Sequence, residues 1–296
     1  MIELHNVNFH YTGGTNAGGL TDINLTIPDG QVILFCGQSG CGKTTLTRLV
    51  NGLIPNYYEG DLSGEVLLNG ENISTLPLYQ TAKYVGSVFQ NPSTQFFTID
   101  TTSELAFGSE NQGLPEADIV QRIYATTECF SVKKLLGKNI FQLSGGEKQK
   151  IACASVSVTD PQVIVLDEPS SNLDITATKD LRGMIEIWKS QGKTIIVAEH
   201  RLYYLADLID RAVYLQDGRI AADFSGQEMK LLSSEKLKEM GLRSFELSQY
   251  PIKHVRPLDN EVITLSDFYF AYQKDKAALH ILSLIHISEP TRPISI

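Results

Sequence analysis

A glycine-rich segment at residues 37–45 limits the possible folds of this chain more than any other feature. Its sequence, GQSGCGKTT, fits the pattern G-x-x-x-x-G-K-[ST] and stands between an apolar run and a helix-like run. Glycines let such a loop wrap closely around phosphate oxygens, and its N–H groups form an anion site together with the helix N-terminus. We therefore predict a phosphate-binding loop rather than a simple strand-to-helix turn. Its residues are Gly37, Gln38, Ser39, Gly40, Cys41, Gly42, Lys43, Thr44 and Thr45.

Four polar side chains in two motifs indicate a triphosphate and a magnesium ion. Lys43 is expected to reach the β- and γ-phosphates, and the Thr44 hydroxyl is expected to bind Mg²⁺. The second motif, Asp167 and Glu168, follows an apolar run at residues 163–166. Carboxylates at the carboxyl end of a core strand face the ligand site of an open α/β sheet. We predict that Asp167 serves Mg²⁺ and that Glu168 polarises the attacking water, although solvated acids that cap a strand would show the same pattern.

The composition argues against several classes of protein. The 296 residues are 42% apolar, which suffices for one large domain and part of a second. The net charge of −9 argues against sequence-independent binding to nucleic acid, which needs clustered Lys and Arg. The four cysteines lack metal-binding spacing and are typical of reduced thiols in the cytosol. We find no secretory signal and no apolar run near the roughly 20 residues of a membrane helix, so a membrane role would require a partner.

Short apolar runs predict an α/β fold with a parallel core sheet. The runs at residues 32–35, 163–166 and 194–198 are rich in Val and Ile, as strands buried on both faces are. Helical patterns lie between them. One is expected at residues 44–53, after the glycine-rich loop, and another at residues 115–130, which open with Pro, Glu and Asp.

An antiparallel sheet is expected to lead into this core. Residues 2–9, 30–35 and 64–68 fit its strands, and we assign residues 30–35 to this sheet although their apolar run also fits the parallel one.

The C-terminal part of the chain changes character. Residues 226–260 are charged and helical in pattern and are interpreted as an extension or linker. Residues 263–272, ITLSDFYFAY, repeat the layout of residues 2–11, IELHNVNFHY, so we expect a second domain copy to begin within residues 261–281, unless both are unrelated amphipathic strands. Residues 282–296 include LSLIHISEPTR, which resembles a translated sequencing adapter, so we expect a truncated chain with an artefactual tail.

A third motif reduces the number of protein families that fit the sequence. The first two motifs leave kinases and switch GTPases possible. Residues 143–150, LSGGEKQK, place Ser144, Gly145 and Gly146 at a helix start, where a hydroxyl and bare N–H groups can meet an anion. Here the chain resembles the ABC ATPases, whose signature is LSGGQ. Glu147 stands where that family usually has Gln, a frequent departure.

The other motifs of the ABC ATPases follow in order. Tyr11 matches the aromatic residue that stacks on adenine, and Gln90 matches the glutamine that senses Mg²⁺ and water and touches a membrane partner. Asp174 ends a match to the D-loop, SNLD, and His200 matches the switch histidine that contacts the γ-phosphate. The resemblance implies a P-loop NTPase at residues 1–225. Its parallel core sheet would carry an antiparallel β subdomain and a helical subdomain inserted at about residues 91–143.

Shorter strings resemble one group within that family. Residues 90–97, QNPSTQFF, and 199–202, EHRL, are similar to the coupling ATPases of energy-coupling factor importers. Residues 51–55, 58–60 and 62–65 are similar to tandem-fused members of that group. The resemblance implies uptake of a vitamin or transition-metal ion through integral membrane subunits, with the ATPase on the cytoplasmic face of the membrane.

Because the family works in pairs, the resemblance implies that two domains meet head to tail around ATP and Mg²⁺. The phosphate loop and catalytic residues of one domain would hold the nucleotide, and the signature of the other would close over it. The second domain would be the chain's own repeat or a second copy of the first domain. A soluble ABC ATPase of translation or DNA repair is the alternative. Repair members carry long heptad inserts, which residues 46–142 lack, and translation members carry a basic linker, whereas acids and bases are mixed in residues 227–257.

Overall fold

The computed structural model describes residues 1–12, 18–243 and 245 with their side chains, and residues 265–273 and 276–284 as backbone. The chain divides into two units, Met1–Glu246 and Leu247–Ile296, and each is described by itself.

The first unit is built on a six-stranded sheet in which five neighbouring strands are parallel. The strand order is β10-β9-β3-β8-β7-β6, and β10 is antiparallel to β9. The apolar runs at residues 163–166 and 194–198 form the neighbouring parallel strands β7 and β8, as predicted, and the run at residues 32–35 forms β3 beside β8. The strands are β3 (Val32–Cys36), β6 (Val85–Val88), β7 (Val163–Asp167), β8 (Thr194–Ala198), β9 (Arg211–Gln216) and β10 (Arg219–Ser225).

The assignment of residues 30–35 to the antiparallel sheet was wrong. Strand β3 lies between β8 and β9 and is parallel to both. Its five residues are all buried, with Ile33 and Phe35 in one core cluster and Val32, Leu34 and Cys36 in the other. A strand covered on both faces is typical of the centre of a parallel sheet.

A second sheet of four antiparallel strands covers one face of the first. Its order is β2-β1-β4-β5, with β1 (Ile2–Tyr11), β2 (Gly19–Ile27), β4 (Gly60–Leu68) and β5 (Glu71–Asn72). Apolar side chains of β1 and β2 pack against β3 and the first helix in one core cluster. The antiparallel strands expected at residues 2–9 and 64–68 are confirmed.

Nine described helices complete the first unit. The helix expected at residues 44–53 ends early, because Gly52 takes a left-handed conformation with φ +74° and separates two helices there. The helix expected at residues 115–130 is confirmed. The helices are α1 (Lys43–Val50), α2 (Leu53–Asn56), α3 (Leu78–Thr81), α4 (Thr101–Asn111), α5 (Glu116–Cys129), α6 (Gly145–Val158), α7 (Ile175–Ser190), α8 (Gly226–Leu231) and α9 (Ser234–Glu239).

Helices α4 and α5 lie inside the predicted helical subdomain and pack against α6, which follows it. Helices α8 and α9 lie in the predicted extension. The domain boundaries themselves stay predictions, and residues 246–260 lie outside the described residues. Within the part that is described, every helix is too short or too polar to span a lipid bilayer.

The second unit contains a hairpin. Strand β11 (Leu265–Gln273) pairs antiparallel with β12 (Lys276–Leu284). The predicted tandem repeat, residues 261–281, would place these strands where β1 and β2 stand in the first copy, and it stays a prediction. Strand β12 runs three residues into the segment 282–296, and the remaining residues of that segment lie outside the described ones.

Candidate nucleotide site

The glycine-rich loop adopts a backbone that only glycines accommodate. Gly37 and Gly42 have φ values of +145° and +109°, in the left-handed half of the map. A Cβ on Gly37 would lie 2.3 Å from the carbonyl oxygen of Leu215, and one on Gly42 would lie 2.7 Å from Cδ2 of Leu20. The sequence pattern therefore reflects a loop wedged against β2 and β9, with α1 beginning immediately after it.

Lys43 lies over this loop. Its side chain is buried, and its Nζ donates to the carbonyl oxygens of Gly37 at 2.9 Å and Gln38 at 3.0 Å. An ammonium group has three protons to donate, and the Cys41 sulfur lies 3.7 Å from Nζ. Lys43 is thus held at the loop by contacts that a phosphate oxygen can replace.

Thr44 and Asp167 meet between α1 and the end of β7. The Thr44 hydroxyl donates to Oδ1 of Asp167 at 3.1 Å. Burial raises the pKa of the Asp167 carboxyl, the Thr44 hydroxyl opposes that effect, and the charge of Glu168 adds to it. Burial thus disfavours the ionised carboxylate of Asp167, and a bound cation would compensate its charge. The Thr44 hydroxyl oxygen lies beside it as a second oxygen donor.

These oxygen donors fit a magnesium ion. Mg²⁺ prefers one or two carboxylates together with water and substrate phosphates, and it seldom uses a cage made of protein alone. Among the residues that the structure describes, no three or more His, Cys, Asp or Glu side chains cluster as a metal site. Thr44 and Asp167, beside a phosphate loop, agree with an ion that arrives with its nucleotide.

The three predicted catalytic residues come together at the carboxyl ends of parallel strands. Gln90 follows β6, Glu168 follows β7 and His200 follows β8 within two residues. Nε2 of Gln90 donates to Oε2 of Glu168 at 3.2 Å, and Nδ1 of His200 lies 4.0 Å from Oε1 of Glu168. Glu168 itself has φ +44°, an unfavourable value for a side chain of this size. The surrounding contacts hold Glu168 in a strained position between the other two.

Tyr11 lies at the edge of the same cavity, at the end of β1. Its hydroxyl lies 3.2 Å from Oγ1 of Thr45 and accepts from the Arg48 guanidinium at 2.9 Å. The Arg48 guanidinium also stands 3.9 Å from the centre of the Tyr58 ring. Adenine stacking by Tyr11 stays a prediction. The sequence analysis missed Arg48, although it lies one helical turn after Thr44.

A cavity of about 400 Å³ is lined by several of these groups, and Asp167 lines a neighbouring cavity that shares Thr44 and Gln90 with it. Its lining is drawn from Tyr11, the glycine-rich loop, Gln90 and Glu168, with Arg48 at its wall. The lining residues are Tyr11, Gly18, Gly19, Ser39, Gly40, Gly42, Lys43, Thr44, Thr45, Arg48, Gln90 and Glu168.

The predicted signature residues lie elsewhere. Ser144 precedes α6 and forms a capping box: its Oγ accepts from the Glu147 N–H at 3.3 Å, and Glu147 accepts from the Ser144 N–H at 2.9 Å. This N–H lowers the pKa of the Glu147 carboxyl. Asp174 likewise caps α7, by accepting from the Ala177 N–H at 2.7 Å. A Cβ on Gly146 would lie 2.8 Å from Cβ of Ala177, so the starts of α6 and α7 touch.

The described lining of the cavity therefore includes none of Ser144, Gly145, Gly146, Glu147 and Asp174. One copy of the domain brings together the phosphate loop, Asp167, Glu168, Gln90, His200 and Tyr11, and it presents the signature at a separate place.

Relatives and solved structures resemble this chain over its first unit and beyond. The family model described as ABC transporter matches residues 20–171. A protein of Treponema denticola, provisionally named an ABC transporter ATP-binding protein, is 47% identical over 92% of this chain and 55% of its own length. A second protein of that organism, with the same provisional name, is 38% identical over 97% of this chain and 59% of its own length. The chain thus spans less than two thirds of these relatives.

Among solved structures, cbiO1 from Clostridium perfringens, described as part of the ABC transporter complex cbiONQ, is 29% identical with a TM-score of 0.68. The match covers 77% of this chain and 89% of that one. The dimeric bacterial ABC transporter cassette MJ0796 is 23% identical with a TM-score of 0.66, over 76% of this chain and 98% of that one. The likeness to MJ0796 shows the fold alone. Together, the two solved structures confirm the predicted P-loop NTPase fold with its antiparallel and helical subdomains.

Proposed function

Because the chain belongs to the ABC transporter ATP-binding family, we propose that it binds Mg-ATP and hydrolyses it between two domains that meet head to tail. The observation that carries this proposal is the convergence of Thr44, Asp167, Glu168 and Gln90 beside the glycine-rich loop. Phosphoryl transfer needs positioning and charge stabilisation more than covalent chemistry, and these groups supply both.

The residues that meet at the glycine-rich loop have proposed roles. The loop N–H groups and the Lys43 ammonium bind the β- and γ-phosphates, and Tyr11 stacks on adenine. Thr44, Asp167 and Gln90 would hold Mg²⁺, which neutralises the negative charge that develops on the phosphate oxygens. Glu168 orients the attacking water and accepts its proton.

The signature supplies the missing wall of the site from the partner domain. Ser144 offers a hydroxyl, and Gly145 and Gly146 offer N–H groups at the start of α6. These donors would close over the γ-phosphate, with Glu147 and Asp174 at their flanks, and exclude water. His200 would contact the γ-phosphate from the first domain. In this pair the partner is the chain's own second repeat or a second copy of the first domain.

For the wider role we propose an importer subunit of the energy-coupling factor type, at the cytoplasmic face of the membrane. The strings at residues 90–97 and 199–202 and the likeness to cbiO1 support this subgroup. The domain would drive uptake of a vitamin or a transition-metal ion through integral membrane subunits.

An ATPase assay on the purified chain tests the first proposal. Hydrolysis should require Mg²⁺. It should fall by at least about 100-fold in Lys43→Ala, because the positive charge that stabilises the negatively charged transition state is lost. Lys133→Ala is the matched control: this exposed lysine pairs with Glu128 on the helical subdomain, and its loss should leave the rate unchanged. A rate that does not respond to Lys43→Ala or to removal of Mg²⁺ would contradict the proposal.

Affinity purification from native membranes tests the wider role. Recovery of integral membrane subunits with the ATPase supports the importer. Recovery of ribosomes or DNA-repair factors instead would favour a soluble ABC ATPase and remove the importer assignment.

A further inference from the structure

Glu199 is a buried carboxylate that no proposed role uses. It follows β8 directly, precedes His200, and is 0% exposed. A buried carboxylate is costly unless it is hydrogen-bonded, and this one accepts from five donors. Its Oε1 accepts from the N–H groups of His200 at 2.8 Å and Arg201 at 3.0 Å. Its Oε2 accepts from the Ser170 hydroxyl, the Tyr204 hydroxyl at 3.1 Å and the Ser170 N–H at 3.4 Å.

These donors come from two segments that flank the proposed catalytic groups. Ser170 lies two residues after Glu168 and opens the segment that ends at Asp174. Arg201 joins the same segments from the other side, because its guanidinium donates to the carbonyl oxygens of Ser170 at 3.0 Å and Ser171 at 3.3 Å. The turn after β8 and the turn after β7 are therefore connected twice.

Two carboxylates lie near one nitrogen of the His200 ring. Its Nδ1 is 3.4 Å from Oε1 of Glu199 and 4.0 Å from Oε1 of Glu168. A carboxylate can only accept, so the nearer one attracts an N–H at Nδ1 and thereby sets the direction in which the opposite edge of the ring points. An outer carboxylate orients the metal-bound histidine of many enzymes by the same means.

The Tyr204 hydroxyl is a lasting donor to Glu199. Burial first, and then the charge of Glu199, raise the pKa of Tyr204 well above its usual range. Tyr204 therefore stays protonated and remains a donor to Oε2.

We propose that Glu199 is a positioning residue that fixes the ring of His200 and the segment from Ser170 to Asp174 as one unit, so that His200 is aligned for hydrolysis. The inference rests on the proposed function, because alignment matters only if ATP is hydrolysed. Its two supports are the five donors on one buried carboxylate and the contact of that carboxylate with the His200 ring.

Steady-state kinetics of Glu199→Gln test the proposal. The amide keeps the size of the side chain but has one acceptor oxygen in place of two, so it cannot serve all five donors and its hold on the His200 ring is weakened. We expect kcat to fall about tenfold or more while KM for ATP changes less than about twofold. In a His200→Ala background the same substitution should have no further effect on kcat, because residues that act through one another are not additive.

Glu104→Gln is the matched control. Glu104 is also a buried carboxylate, 4% exposed, and it accepts from the N–H groups of Phe97 and Thr98 and from the Thr98 hydroxyl. Glu104→Gln should lower the melting temperature as Glu199→Gln does. Any effect of Glu104→Gln on kcat should add to the effect of His200→Ala. Additive effects for Glu199→Gln as well would reduce Glu199 to a structural role and overturn the proposal.

A readout without hydrolysis separates this inference from the proposed function. In protein labelled with ¹⁵N-histidine, the signals that vanish in His200→Ala belong to the His200 ring. They should shift in Glu199→Gln and stay in place in Glu104→Gln. Unshifted signals overturn the inference even if ATP is hydrolysed. Shifted signals in a chain that hydrolyses no ATP support the alignment of the ring and defeat the proposed function.

If Glu199→Gln does not fold, Tyr204→Phe replaces it. This change removes one donor to Oε2 and leaves both backbone bonds to Oε1. It should move the His200 signals in the same direction by a smaller amount, and a complete lack of movement contradicts the proposal.

Discussion

Asp167 illustrates how a single residue can lower stability for the sake of a ligand. Its pKa is raised in the folded chain, chiefly by burial. A carboxyl whose folded pKa exceeds its unfolded value binds its proton more tightly when folded, so stability falls as the pH rises from the unfolded pKa through the folded one. At neutral pH the ionised carboxylate therefore destabilises the fold unless a cation compensates it.

We expect Asp167→Asn to raise the melting temperature of the nucleotide-free protein by about 2–4 °C, the shift produced by a change near 1 kcal/mol in a domain of this size. The amide oxygen can still accept from Thr44, and the unfavourable charge is gone. Differential scanning calorimetry at pH 7 measures the shift. The same variant should lose the stabilisation that Mg-ATP gives the wild type. A melting temperature at or below that of the wild type would show that Asp167 is not under electrostatic stress.

At this scale the sequence motifs predicted most residues of the proposed site and missed two that the structure places beside them. Lys43, Thr44 and Glu168 could be proposed because short motifs fix both residue type and backbone shape. Arg48 belongs to no such pattern, and Glu199 entered only through the string EHRL, which indicated a subgroup and gave this residue no role. The importance of both depends on contacts with Tyr11 and Ser170, which are distant in sequence. A weaker signal existed for Glu199, since a carboxylate directly after the buried run at residues 194–198 is unusual enough to require a partner.

Among the elements, α6 couples helix stability to the proposed signature. Its capping box, Ser144 with Glu147, satisfies N–H groups that the first turn leaves free. Helix α8 begins with a box of the same kind, Ser225 with Glu228, whose bonds measure 2.8 and 3.2 Å. The chain thus contains two equivalent caps, and the proposed function uses one of them.

Ser144→Ala should lower the free energy of unfolding by about 1 kcal/mol, as loss of an N-cap does, and should also lower ATP hydrolysis by about tenfold or more. Ser225→Ala removes its cap by the same mechanism and should leave hydrolysis unchanged. Denaturant unfolding and the ATPase rate, measured on both variants, separate the two effects. Equal losses of activity in the two variants would mean that hydrolysis responds to stability in general, and would contradict the proposed role of Ser144.

Helices and strands were predictable where the local sequence signals agreed. Residues 115–130 carried a helix start and a helical period, and the helix formed there. Residues 30–35 carried a strand signal that fitted either sheet, and they were assigned to the antiparallel one, so the strand was right and its sheet was wrong. The helix after the phosphate loop was predicted too long, because Gly52 takes a left-handed backbone that composition alone does not announce. Pairing and termination depend on tertiary contacts, which a single sequence does not display.

For the whole molecule, the distribution of the two proposed anion sites is the decisive feature. The cavity at the phosphate loop contains no signature residue among its described lining, and the signature stands at the start of α6, outside that cavity. A single domain therefore presents half of each site. In the proposed function the first unit would therefore need a partner domain, which is the chain's own second repeat or a second copy of the first domain.

Glu168→Gln makes this pairing observable. The amide keeps the size of Glu168 and leaves the phosphate loop intact, so nucleotide should still bind, but it accepts a proton from water poorly, so the closed pair should accumulate. With Mg-ATP, the mass measured by light scattering should rise from 32.7 kDa to about twice that value, and hydrolysis should fall by at least about 100-fold. Lys43→Ala in the same variant should abolish the dimer, because the nucleotide that joins the halves is no longer held. Unchanged hydrolysis in Glu168→Gln would remove Glu168 from its proposed role. A monomer that binds Mg-ATP and still hydrolyses it would instead show that one domain suffices, and the head-to-tail arrangement would have to be abandoned.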